Sequence, residues 1–126
     1  MRVYRLALRN NPTVGCFASG HARQASDVAH AEGVFDPYQH PNDALDCRTD
    51  NAYTNGRRTV CGFQSLEVYR IWFVTPTVRA ALFKDGDLVM RLYEVPDHLV
   101  DVGMVQVRFN LDDAVLIREA TPEEIA

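Results

Sequence analysis

The sequence predicts an α+β domain with a mostly antiparallel sheet. Two observations carry this. Period-two apolar alternation marks both ends of the chain, over residues 2–9 and again over 87–95 and 104–109, and β-branched Val115 and Ile117 add a strand at 114–118. Helical spacing of apolar residues marks the middle, over 21–32 and 65–85. Strands at the two ends with helices between them suit a sheet built from N- and C-terminal strands. The length, 126 residues, suits one domain spanning 1–126. With 47% hydrophobic and 24% charged residues the chain can bury a core.

The first strand is predicted over Arg2–Arg9. Val3, Arg5, Ala7 and Arg9 point one way, and Tyr4, Leu6 and Leu8 form the more apolar face. Asn10-Asn-Pro-Thr13 reads as a turn, because Pro fixes φ and Asn tolerates left-handed geometry. Val14–Ala18 reads as a short second strand, broken by Ser19-Gly20. The Ala-rich segment His21–Glu32 predicts a helix, with Gly33 as its C-terminal cap. Residues 34–58 hold two prolines and many Asx residues and read as a long irregular loop. Within it, Asn55-Gly56 is a turn signal that suits two short strands.

The stretch Cys61–Phe73 holds the only tryptophan, Trp72, and the densest apolar cluster. It predicts a loop leading into a short buried helix. Ser65 is its N-cap, and Phe63, Leu66, Tyr69 and Phe73 line one face. Thr75-Pro76 predicts a second helix start, ended by Gly86. Asp87–Val95 is strand, His98–Gly103 a link, and Met104–Phe109 strand again, with Gln106 and Arg108 on its less apolar face. Asp112-Asp113 is a turn, Ala114–Arg118 a last strand, and Thr121-Pro-Glu-Glu124 a short terminal helix.

Composition narrows the function. The net charge is −4, with 17 acidic against 13 basic residues, which argues against nucleic acid as the main ligand. No apolar run approaches the roughly 18 residues of a membrane span, and no signal-peptide pattern opens the chain, so a cytoplasmic setting is expected. Cys16, Cys47 and Cys61 are odd in number and form no C-x-x-C pair, which suits free thiols.

His40, Asp43, Asp46 and Cys47 gather ligand types, but at no recognised zinc spacing, and no metal site is assigned. No cysteine or histidine sits in a nucleophile signature, and neither a P-loop nor a G-x-G-x-x-G is present. Arg5 either lines a cleft, where it can hold a phosphate or carboxylate, or lies exposed to solvent. Gln106 has the same two readings.

The Val-Tyr-Arg5 strand, Gly-Phe-x-Ser-Leu-Glu67 with its Trp-Phe73 end, Tyr-Glu-Val95 and Val-Gln-Val-x-Phe109 together resemble a group of small phage-encoded proteins. The order of elements is also similar to compact ADP-ribosyltransferase-like domains. That second resemblance implies Arg5 as the first-strand residue holding NAD and Tyr69 as the helix aromatic under the nicotinamide. It implies Gln106 at the place of the catalytic acid, with Glu94 as the substitute carboxylate. A Gln there lacks the charge that stabilises an oxocarbenium-like transition state.

Two functions follow. The first is an accessory protein of the anti-defence, anti-CRISPR-like kind, which needs no cofactor. It binds and inhibits a host protein, such as a nucleic-acid-binding defence complex, through acidic contacts at Asp43, Asp46, Asp50, Asp85 and Asp87. The alternative is an NAD-dependent transferase modifying a host target.

Overall fold

The computed structural model describes residues 1–39, 52–54, 57–103 and 106–126. The α+β class holds, and every strand pairing is antiparallel. The strands fall into two four-stranded sheets. The first runs β2 (Asn11–Gly15), β1 (Arg2–Leu8), β5 (Leu88–Glu94), β8 (Val115–Glu119). The second runs β3 (Ala52–Thr54), β4 (Arg57–Gly62), β7 (Val107–Phe109), β6 (Val100–Val102). Between them in sequence lie α1 (His21–Glu32), α2 (Leu66–Trp72) and α3 (Pro76–Leu82), and α4 (Pro122–Ile125) follows β8.

β1 and β5 are covered on both faces. Leu6, Leu88 and Met90 face a core shared with α1, α2 and α3, built on Ala25, Tyr69, Phe73, Val78 and Leu82. Val3, Tyr93 and Val95 face the second sheet and pack on Val60, Val107 and Phe109. The sheets touch where Tyr4 and Phe63 exchange both backbone hydrogen bonds, at 2.8 and 2.7 Å. Gly62 sits at that approach, and a Cβ there would stand 2.4 Å from Val3 Cγ1 and 2.9 Å from Tyr4 O.

Local chemistry sets the helix ends. α1 closes on Gly33 at φ 71, with Gly33 N–H returning to Ala29 O and His30 O. Asp36 then ties the chain back: it accepts from Ser26 Oγ at 2.9 Å and Tyr38 N–H at 2.9 Å, and meets His30 Nε2 at 2.8 Å. Ser65 and Thr75 cap α2 and α3 through their hydroxyls, and Pro76 opens α3. Thr121 and Glu124 form a reciprocal capping box on α4.

Several boundaries differ from expectation. β2 starts at Asn11 rather than Val14 and carries Pro12, which an edge strand tolerates because it needs no amide there. Residues 61–63 continue the second sheet instead of forming a loop. β6 lies inside the expected link 98–103. The long loop 34–58 contains a 3-10 turn at Pro37–Gln39 and the β3–β4 pairing, with Thr54 opposite Arg57; the expected turn at Asn55-Gly56 lies outside the described residues. Among the described residues no helix is long and apolar enough to cross a membrane.

Candidate functional site

β1, β2 and β4 enclose a crevice where the two sheets meet. Arg5, Cys16, Phe17, Cys61, Phe63 and Gln106 line it. Arg5 is not a surface arginine: it is 2% exposed. Its Nε donates to Pro12 O at 3.0 Å and its Nη1 to Cys61 O at 2.8 Å, so one guanidinium ties β2 and β4 to β1. The alternation of β1 does put Arg5 on the less apolar face, but the second sheet covers that face. Gln106, just ahead of β7, and Arg108, within it, are buried too, Arg108 donating to Thr59 Oγ1 at 3.2 Å.

The structure therefore brings Arg5 and Gln106 together, and it places Tyr69 and Glu94 elsewhere. Tyr69 is fully buried in α2, and its hydroxyl donates to Ile125 O at 2.7 Å. Burial pushes its phenol well above the usual range. Glu94 ends β5 opposite Arg2, is half exposed, and lies 3.7 Å from Arg2 Nε. The crevice encloses about 20 Å³, room for a water and far short of a dinucleotide.

The acidic candidates also separate. Asp43, Asp46 and Asp50 lie outside the described residues. Asp85 is engaged: it accepts from Asp87 N–H at 3.0 Å and meets His21 Nε2 at 3.0 Å. The Asp87 amide first, then the imidazole, hold its carboxyl below the usual range. Asp87 is exposed.

One feature escaped the sequence reading. All five residues of β8 are exposed, with Val115 at 68%, Leu116 at 53% and Ile117 at 40%. Among the described residues β8 is an outermost strand, paired only with β5. Ala120 N–H donates to Met90 O, so antiparallel alternation turns the amide of Glu119 to the open edge, while a register shift against Leu92 and Tyr93 interrupts the alternation at Ile117. Its charges are neutralised within the chain, Arg118 by Glu124 and Glu119 by Arg9 at 3.0 Å. Arg118 first, then the Thr121 amide, push the Glu124 carboxyl down to about 2. Beside the end of β8 lies a hollow of about 180 Å³ lined by Phe83, Leu88, Met90, Glu119 and Ile125. The run Ala114–Ile117 is apolar throughout with no alternating polar face, and that was the available signal.

The Bacteriophage T4 Y00F protein family matches residues 1–123, nearly the whole chain. The chain belongs to this family. The resemblance to phage-encoded proteins therefore holds for the Y00F-family chain. No curated protein and no solved structure matches it, so the likeness to ADP-ribosyltransferase-like domains gains no support from a known fold.

Proposed function

We propose that this Y00F-family protein is a phage accessory protein that acts by binding a host protein, and that the partner adds an extended segment to the open edge of β8. The carrying observation is the exposed Val115-Leu116-Ile117 run on that edge. Natural edge strands are ordinarily blunted by lysine, proline or a cover. β8 has no lysine, proline or cover within Val115–Glu119; its bulge at Ile117 and its charged pair Arg118-Glu119 leave the Val115-Leu116-Ile117 run exposed. Strand addition draws affinity from main-chain hydrogen bonds and specificity from pockets for alternate side chains. The hollow of about 180 Å³ at the end of β8 suits one apolar side chain of such a segment. Inhibition of a host defence component follows if the captured segment belongs to its working surface. The acidic route has less behind it, since Asp85 is already engaged by His21.

The test is capture from host lysate with wild-type protein and a Val115→Lys/Ile117→Lys variant, with and without NAD. An unmodified, stoichiometric partner held by wild type and lost by the variant supports strand addition. Protection of residues 115–119 from hydrogen exchange in the complex places the contact. Equal capture by both proteins refutes the β8 reading. A partner that gains an ADP-ribose mass only with NAD refutes the binder.

A further inference from the structure

We infer that His21, Asp85 and Asp87 form a binding site for a divalent transition-metal ion of the zinc type. His21 opens α1, and the two aspartates flank Gly86 in the α3–β5 turn. One ligand atom from each lies within 4.8 Å of the others. Ligands about 2.0–2.2 Å from a zinc ion are separated by roughly 3–4 Å, so sub-ångström movements close the shell.

The donor set fits such an ion. Two carboxylates and one neutral imidazole supply a charge of about −2. A mixed nitrogen and oxygen set favours zinc and its neighbours over magnesium or calcium, which take oxygen. The imidazole is 7% exposed and aims Nε2 outward at Asp85, while Ser19 Oγ holds Nδ1 at 2.7 Å. A hydrogen bond on the second ring nitrogen is what orients metal-ligating histidines. The partial positive charge at the first turn of α1 opposes a cation, but two full carboxylate charges outweigh it. Three protein ligands leave room for water at the remaining position. The ion would clamp the start of α1 to the α3–β5 turn, reinforcing the contacts that Asp85 already makes with His21 and Gln24.

The experiment is calorimetric titration of untagged protein with zinc and with magnesium, paired with thermal melts. One equivalent of zinc should bind and raise the melting temperature, with magnesium at least about tenfold weaker. Asp87→Asn leaves the His21–Asp85 bond in place and should weaken zinc at least about tenfold, because a charged ligand is lost. Ser19→Ala should weaken it by about 10–100-fold. Cobalt(II) in place of zinc gives a visible spectrum that His21→Asn should abolish. Absence of zinc binding overturns the inference. So does equal magnesium affinity, or zinc binding unchanged by both Asp87→Asn and His21→Asn.

Discussion

Replacing Gly62 with alanine should destabilise the fold by about 2–3 kcal/mol, the upper part of the range for overpacking. The added methyl meets three neighbours: Val3 Cγ1 at 2.4 Å, Tyr4 O at 2.9 Å and Phe109 Cε1 at 3.2 Å. Val3 is fully buried between the sheets, so its side chain has no free space to swing into. Tyr4 O is fixed by the bond it accepts from Phe63 N–H at 2.7 Å. Relief of both contacts requires the sheets to part. For a chain of this size the loss corresponds to a melting temperature lower by about 6–12 °C. A double-mutant cycle with Val3→Ala separates the contacts. Val3→Ala alone costs about 2 kcal/mol for the cavity it leaves. In the Gly62→Ala background it also removes the closest clash, so the two changes should be non-additive by about 1 kcal/mol or more. The Tyr4 O contact survives, so rescue is partial. Urea melts of the four proteins are the assay. A cost below about 0.5 kcal/mol for Gly62→Ala, or strict additivity in the cycle, would refute the close-approach argument.

Arg5→Ala should cost about 3 kcal/mol, because it strands the buried Cys61 carbonyl and removes the charged donor that also ties Pro12 O to β1; a chemical melt measures it, and a near-neutral result would put Arg5 on the surface after all. Asp36 is buried, which raises its pKa, yet the Tyr38 amide, Ser26 hydroxyl and His30 together hold it below the usual carboxylate value. Its contribution is thus present above the unfolded pKa of about 3.9 and is lost as pH falls through the lower folded value. Asp36→Asn should flatten the acid limb of a stability profile. Glu124 should titrate near pH 2 by NMR, and Arg118→Ala should return it toward the ordinary glutamate range. Ser65→Ala and Thr75→Ala should each cost about 1 kcal/mol as lost helix caps, read by thermal melts.

Local chemistry was the legible part of this fold. Gly33, Ser65, Thr75-Pro76 and the Thr121–Glu124 pair each act through neighbours within four residues, so sequence spacing suffices to place them. What the pattern concealed is non-local. Arg5 reads as an outward residue on a half-buried strand, and a second sheet packs over that side; Gln106 and Arg108, beside and within β7 of that second sheet, are buried as well. Three-residue strands such as β6 are too short to show a period. The crevice residues Arg5 and Gln106 were found from one strand each, but its size depends on how closely the sheets approach at Gly62. His21 and its two aspartates lie more than 60 residues apart, beyond the reach of any spacing argument. The exposure of β8 depends on its being outermost, which alternation cannot express.

The pairing of β1 with β5 also bears on how the chain is made. Leu8 meets Leu88 and Arg2 meets Glu94, so β1 waits for its chief partner until about 80 further residues have been made. At ribosomal rates of about 5–20 residues per second the wait is roughly 4–17 s. Of the partners of β1, β2 and Phe63 precede β5 in the chain, and the border that β5 takes stays open until then. Loop closure over such separations is also slow to nucleate. Nascent chains of this protein are therefore the species most open to chaperone capture and to wrong strand pairing, and high-level synthesis should be cleaner at low temperature, where fewer copies wait at once.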